Sequence, residues 1–266
     1  MKNITVIVAA YNAEKYIERC LASIVCKNAE VDIVVVNDAS TDGTAEKIGK
    51  FGGKLKLVNL EKNSGCVARV RNIGLENAEG EYITYLDADD WYENGALDRI
   101  ADCLQRYNPD ILKYGYTAVY PDGTRRAVPA CEGWAEKKDF PQKVYPLFLD
   151  GIELNSVCCA VFRKSILGGT IFPEEYCTAE DAAFCAEAYT KAQSIMFLPD
   201  CLYCYYQSGA GLTGKGMKIL KKYKYNFMLS GRLLRLLPAW GMDTPRNRVR
   251  AVLRPVKITL DKLKRI

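Results

Sequence analysis

The opening hundred residues alternate between short β-prone runs and stretches with helical periodicity. Ile4-Thr-Val-Ile-Val-Ala9 is a continuous, largely β-branched run, the pattern of a strand covered on both faces. Asn12 then stands where it can cap a helix whose apolar positions Tyr16, Ile17, Cys20, Leu21 and Ile24 share one face. Residues 31–36 predict a second buried strand, closed by the turn-rich Asn37-Asp-Ala-Ser-Thr-Asp-Gly43. Residues 55–60 and 82–86 predict two more strands, with a helix around residues 67–77 between them. Alternation of this kind specifies an α/β domain with a mainly parallel sheet. Residues 4–10 read as its first strand and not as the core of a leader, because polar, helix-like sequence follows directly.

Past residue 110 the pattern loosens. Residues 111–119, the turn Pro121-Asp-Gly123 and residues 126–128 predict a hairpin or sheet extension. Residues 178–191 form a helical pattern with acids near its start, and residues 195–198 and 202–206 read as two short strands. The tail beyond Gly216 is helical, with breaks near Pro238 and at Thr244-Pro245. No internal repeat or low-complexity linker interrupts the chain, and no apolar run approaches the roughly 20 residues of a membrane span.

Charge separates the tail from the rest. The 266 residues carry 37 Lys and Arg against 32 Asp and Glu, a net +5. Residues 216–266 hold 14 of the basic groups and only Asp243 and Asp261 as acids, a local +12, so residues 1–215 carry −7. The chain has no histidine, which excludes Ser-His-Asp and Cys-His catalysis and His-ligated zinc. Acid–base work must then fall to carboxylates, Lys, Tyr, Cys or a metal-bound water. Eleven cysteines, an odd number in a chain long enough to need no staples, point to buried free thiols in a reducing compartment. The single Cys201-x-x-Cys204 has neither a second pair nor a histidine, so it is a poor zinc site.

Ligands of parallel sheets bind outside the carboxyl ends of the strands. The loops there carry Tyr11 and Asn12, Asn37 and Asp38, Asn63 and Ser64, and the acidic run Asp87-Ala-Asp89-Asp90. On an extended segment Asp87 and Asp89 would point to one side, about 6–7 Å apart, a spacing suited to Mg2+ or Mn2+. A solvated acidic turn is the plain alternative. An aspartate-nucleophile phosphatase does not fit, because Asp90 and Trp91 follow Asp89 where that chemistry needs Thr or Val. Glu180-Asp181 can likewise be read as acids favoured by a helix dipole.

Taken in order, Val8-Ala-Ala-Tyr-Asn12, the 36–43 turn, Asn63-Ser-Gly65, Arg71-Asn-Ile-Gly74, Gly80-Glu-Tyr82 and Leu86-Asp-Ala-Asp-Asp-Trp91 closely resemble glycosyltransferase family 2. The likeness is dense over residues 1 to about 105 and resumes over residues 178–213. It implies the GT-A fold, a Rossmann-like, mainly parallel sheet flanked by helices, here with a basic helical C-terminal extension. It also implies transfer of a sugar, with inversion, from a nucleotide-sugar such as a UDP-sugar. The implied roles place Ala10, Tyr11 and Asp38 at the nucleoside, Arg71 and Asn72 on the donor side, and Asp87 and Asp89 at the metal, with Asp89 the more direct ligand and Asp87 nearer the ribose. Glu180-Asp181 matches the pair in which the Asp is catalytic base, and Thr213 matches a hydroxyl residue of the closing loop.

Two departures stand out. Arg69-Val-Arg71 replaces a shorter Ala-Ala-Arg, and Gln207 stands where an Arg or His often reaches the diphosphate, which leaves Lys215 or the metal to compensate. A partial phosphate loop, Gly209 to Lys215, ends in Gly216 where Ser or Thr must ligate the metal, and is set aside.

The expected organisation is a donor-binding half (1–105), an acceptor-side half with the base (106–215) and the basic extension (216–266). In the extension Phe227, Leu229, Leu233, Leu234, Leu236, Leu237 and Trp240 interleave with Lys222, Lys224, Arg232 and Arg235. Such a helix can lie on an anionic membrane or pack on the domain with its charges in water. No nucleic-acid recognition motif accompanies the charge. The expected enzyme builds a surface glycan on a glycan or lipid-linked acceptor, in the cytoplasm and peripheral to the inner membrane face. The rivals are a catalytically silent scaffold of the same fold and a two-carboxylate glycoside hydrolase.

Overall fold

The computed structural model describes residues 3–52, 55–150, 154–176, 178–207 and 219–263, with the side chains of 219–223 and 259–263 left aside. The first hundred residues form the alternation their periodicity predicts: β1 (Asn3–Ala10), α1 (Ile17–Ala22), β2 (Glu30–Asn37), α2 (Thr44–Lys50), β3 (Leu55–Asn59), α3 (Val67–Glu76) and β4 (Tyr82–Asp87). β1 lies between β2 and β4 and runs parallel to both, and β3 adds in parallel outside β2. Flanking strands and covering helices leave Ile4, Val6, Ile7 and Val8 without solvent contact, which is why their run is continuous and not alternating.

The chain continues through β5 (Trp91–Tyr92), α4 (Ala96–Tyr107), β6 (Ile111–Val119), β7 (Arg125–Val128), β8 (Gly133–Glu136), α5 (Phe140–Lys143), α6 (Tyr145–Asp150) and β9 (Ala160–Arg163). It closes with α7 (Glu180–Lys191), β10 (Ser194–Tyr206), α8 (Ile219–Leu236) and α9 (Pro245–Leu263). One sheet joins these strands in the order β3-β2-β1-β4-β9-β6-β10-β5, with β7 paired to β6 and β8 to β10. The short β9, antiparallel to β4 and β6, stitches the two halves together. The longest ladders, β1 with β2 and β6 with β10, are parallel.

Four expectations change. Asn12 caps no helix: it adopts a left-handed φ of 48° and its Oδ1 accepts from the Thr41 amide at 2.8 Å, so it ties two loops together while α1 starts later. The two short strands of residues 195–206 are one strand, β10, whose register against β6 slips between Leu198 and Cys201. Pro199 stands in that gap and has no N–H to give a ladder. Cys131 is exposed and Cys26, Cys66 and Cys201 are half-buried, so only part of the thiol set is core, and no disulfide joins the described cysteines.

The fourth change concerns α8. Its apolar face is not presented outward, because Leu229, Leu233 and Leu237 are buried in the domain. Trp240, just beyond, stacks on Tyr145 with ring centroids 4.4 Å apart and donates Nε1–H to Thr190 Oγ1 at 2.6 Å. Among the described residues no helix is long and apolar enough to cross a membrane.

Candidate active site

β1, β2 and β4 end on one edge of the sheet, and their register puts Ala10 beside Asn37 and Ala9 beside Asp87. The Ala10 carbonyl accepts from the Asp38 amide at 2.8 Å, and Tyr11 stands exposed just beyond it. Asp38 is buried and its carboxylate is engaged: Oδ1 accepts from the Ser64 amide at 2.7 Å, and Oδ2 from Ser64 Oγ at 2.9 Å and Asn63 Nδ2 at 3.2 Å. In this state Asp38 shapes the loop after β3. Ala39, which follows it, takes a left-handed φ of 54°, a strained backbone for a residue with a Cβ.

The acidic run after β4 is a turn and not an extended segment. The Asp90 amide donates to the Asp87 carbonyl at 3.0 Å, so the run does not continue along a strand. Asp90 turns inward, where Tyr203 Oη donates to its Oδ2 at 2.6 Å and the Tyr206 amide to its Oδ1 at 2.7 Å. Burial, with Asp87 and Asp89 adding repulsion, pushes its pKa up to about 8. Asp90 therefore fastens the end of β10 to the turn. Asp87 and Asp89 stay at the cleft, and burial together with Asp87 raises Asp89 to about 6. Among the described residues no side chain donates to the Asp89 carboxylate.

Arg71 is the centre of the site. α3 rides so close on the sheet that a Cβ on Gly74 would sit 2.3 Å from Ile7 Cγ2, and this brings Arg71 down beside β4. Its guanidinium donates from NH2 to Asp87 Oδ1 at 2.9 Å, and from NH1 to Asp181 Oδ1 at 2.5 Å and Glu180 Oε1 at 3.2 Å. Burial works against its charge, but Asp181 and Asp87 outweigh burial and hold it protonated well above its ordinary value. Its Nε is buried with no hydrogen-bond partner among the described residues, so each of its satisfied donors points at an acid. Phe172 lies under the guanidinium, 5.6 Å from ring centroid to CZ.

Glu180 and Asp181 open α7 after Ala179, another left-handed residue with φ 69°. Burial raises Asp181 to about 7 while Arg71 pulls the other way. Its side chain keeps 23% exposure, so one face remains open to the cleft. Asn72 does different work: Nδ2 donates to the Phe172 carbonyl at 2.9 Å and Oδ1 accepts from the Phe172 amide at 2.7 Å. It clamps the segment under Arg71. Thr213, with Lys215 and the partial phosphate loop, lies outside the described residues.

Arg19 and Tyr203, which no motif singles out, also belong to the site. Arg19 donates NH2 to the Asp89 carbonyl at 3.0 Å and stacks over Trp91 at 3.6 Å, with Tyr206 5.0 Å away. Tyr203 accepts from the Asp87 amide at 3.3 Å while donating to Asp90. Both residues hold the acidic turn from outside it. An aromatic beside the acidic run, as Trp91 is, was the only signal available in the sequence.

The donor set suits a hard divalent ion. Asp87 and Asp89 are neighbouring carboxylates that repel one another, and Asp89 takes no side-chain donor among the described residues. Among the described residues no group of three acids or thiols completes a cage. Mg2+-type sites use one or two carboxylates and leave the remaining positions to phosphate oxygens and water.

Known proteins are similar to this chain in sequence and fold. The chain is 32% identical over 212 residues to the poly(ribitol-phosphate) beta-N-acetylglucosaminyltransferase TarS of Staphylococcus aureus, covering 77% of this chain and 35% of that protein. It is 27% identical over 215 residues to the S. aureus poly(ribitol-phosphate) beta-N-acetylglucosaminyltransferase TarP, covering 76% of this chain and 62% of that one. It therefore spans about a third of TarS and under two thirds of TarP. The crystal structure of S. aureus TarS 1-349 in complex with UDP-GlcNAc superposes with a TM-score of 0.71 at 26% identity, over 97% of this chain and 72% of that one. A family model for glycosyl transferase family 2 matches residues 5–169, more than half of the sequence. With its sheet, its acidic turn and these relatives taken together, the chain belongs to glycosyltransferase family 2 and has the GT-A fold.

Proposed function

We propose that this chain is a metal-dependent, inverting glycosyltransferase. It moves a hexose or N-acetylhexosamine from a UDP-sugar to a hydroxyl of a glycan or lipid-linked acceptor in surface polysaccharide synthesis. The observation that carries the reading is Arg71, one buried cation in contact with Asp87 on the donor edge and with Asp181 at the start of α7. The UDP-GlcNAc complex of TarS supports a UDP-linked N-acetylhexosamine as donor, and the names of TarS and TarP support a cell-surface polymer as acceptor.

In this reading residues 1–105 bind the donor, residues 106–215 face the acceptor, and residues 216–266 form the extension. Ala10, Tyr11 and Asp38 line the nucleoside side. Asp87 and Asp89 would hold Mn2+ or Mg2+, which when bound offsets the charge growing on the departing diphosphate. Asp181 removes the proton from the acceptor hydroxyl as its oxygen attacks the anomeric carbon opposite the leaving group. A raised pKa suits that task, since a base near neutrality combines proton affinity with a usable deprotonated fraction. Arg71 and the Val157 backbone orient the Asp181 carboxylate, whose side chain keeps 23% exposure for an acceptor to reach, and Glu180 shares the load of the same guanidinium. The +12 extension supports a peripheral place on an anionic inner membrane face.

UDP release from UDP-N-acetylglucosamine in the presence of Mn2+ tests this. We expect chelation by EDTA and the Asp89→Ala substitution each to abolish turnover while the protein stays folded. Turnover that survives both removes the metal-dependent mechanism.

A further inference from the structure

α9 is amphipathic in the reverse of the usual sense. Its inner face is fastened by charged side chains: Arg254 is buried and donates Nε to the Phe148 carbonyl at 2.6 Å and NH2 to Asn155 Oδ1 at 3.1 Å. Arg250 and Lys257 ion-pair with Asp150 at the end of α6. Ala251, between those anchors, is fully buried. The other face carries Val249, Val252, Leu253 and Val256 at 56%, 44%, 54% and 43% exposure. Their i, i+3, i+4, i+7 spacing is that of a continuous helical stripe. Leu234 of α8 joins Val249, Val252 and Leu253 along a shallow groove of about 380 Å³ between the two helices, rimmed by Arg248. Phe227, two turns earlier on α8, is 50% exposed.

A row of four branched aliphatics facing water is an unusual surface for a protein to keep, and contiguous patches of this kind mark contact sites. The charge around it selects the occupant. The extension carries 14 basic residues against two acids. Lys224, Arg235 and Arg246 make no ion pair among the described residues, in contrast to Arg232 and Arg248, which pair with Glu187 and Asp243. Self-association would set one basic extension against another, with Lys224, Arg235 and Arg246 of each copy left without acids, which disfavours a second copy. An anionic surface meets both requirements, because aliphatic side chains enter the acyl boundary while cations sit at the headgroup level.

We infer that the outward stripe Val249–Val252–Leu253–Val256 of α9, with Phe227 and Leu234 of α8 beside it, is the face by which this chain lies on an anionic lipid bilayer. The inference rests on the membrane location proposed above and names its contact. Of the apolar residues that interleave with the cations of α8 it keeps Phe227 and Leu234, and it moves the main contact to α9 because Leu229, Leu233, Leu237 and Trp240 are buried. The helix lies along the surface and does not cross it, since its inner face remains tied to α6.

Co-sedimentation of the full chain with phosphatidylcholine vesicles containing about one-third phosphatidylglycerol tests this, with pure phosphatidylcholine as the comparison. The double substitution Val252→Asn/Leu253→Asn alters only exposed side chains outside the catalytic cleft, and circular dichroism with thermal melting checks that it folds. We expect the unsubstituted chain to bind the anionic vesicles and the double variant to bind at least about tenfold more weakly. If the unsubstituted chain ignores anionic vesicles, the membrane location and the inference fall together. If it binds them and the double variant binds equally well, the location stands and the α9 face is wrong. A double variant that loses an oligomeric state instead of lipid affinity overturns the inference in favour of self-association.

Discussion

The cleft and the C-terminal helix place charged and apolar groups in opposite ways. In the cleft a buried guanidinium holds three carboxylates, contributed by β4 and α7, within 3.2 Å. In α9 Arg250 and Arg254 face inward to dock the helix, and four aliphatics face outward. The difference teaches where dependence lies. Each member of the Arg71 cluster needs the others, since removing the cation leaves buried acids uncompensated. Each residue of the α9 stripe is independent of the fold, because the helix is held from its other side.

The strongest way to break that contrast is at Arg71. Arg71→Met should destabilise the protein by about 3–5 kcal/mol in urea unfolding, the cost of stranding buried charges. Combining it with Asp181→Asn should cost less than the sum of the two single changes, because the second removes one of the stranded acids. Strict additivity would mean that the cluster is not interdependent. A smaller effect is expected one layer out, where Tyr203 ties Asp90 to the acidic turn. Tyr203→Phe should lose about 1–2 kcal/mol and raise the Mn2+ concentration needed for half-maximal turnover. An unchanged metal requirement would leave Tyr203 a purely structural residue. Smallest of all, Val252→Asn/Leu253→Asn should shift unfolding free energy by no more than about 0.5 kcal/mol. A large loss there would show that the stripe belongs to the core after all.

The strands β1, β2 and β4 and the loops after them were legible in the sequence because central parallel strands are buried on both faces and declare themselves as apolar runs, while β3, at the sheet's end with Lys56 and Asn59 exposed, shows only a shorter one. The edge on which Ala10, Asp38 and Asp87 meet follows from that alternation alone. The family likeness singled out Arg71 and Asp181, but their contact spans 110 positions and no local pattern encodes it. The shape of the acidic run was misread for a physical reason: spacing alone does not tell an extended segment from a turn closed by the Asp90 amide. Arg19 reaches Asp89 across 70 positions through a backbone carbonyl, a contact that any residue type at position 89 would offer. β9 is four residues long and gains its place only by pairing with two distant strands. α8 and α9 are both amphipathic, and which face docks is decided by Trp240 on Tyr145 and Arg254 under α9, not by periodicity.

Asp181 carries the central claim, and its titration gives a sign. Burial lifts it from 3.8 to about 7. Its contribution to folding is therefore full below about pH 4 and is lost as pH rises through 7, while its use as a base runs the other way. The most direct test is the pH dependence of UDP release from UDP-N-acetylglucosamine in the presence of acceptor polymer, for the unsubstituted chain and for Asp181→Asn. Turnover is expected to rise with pH through an acid limb near neutrality. In Asp181→Asn that limb should disappear and kcat should fall by about 10²–10⁴-fold, with UDP binding retained. An Asp181→Asn variant that keeps both its rate and its acid limb would contradict Asp181 as the base.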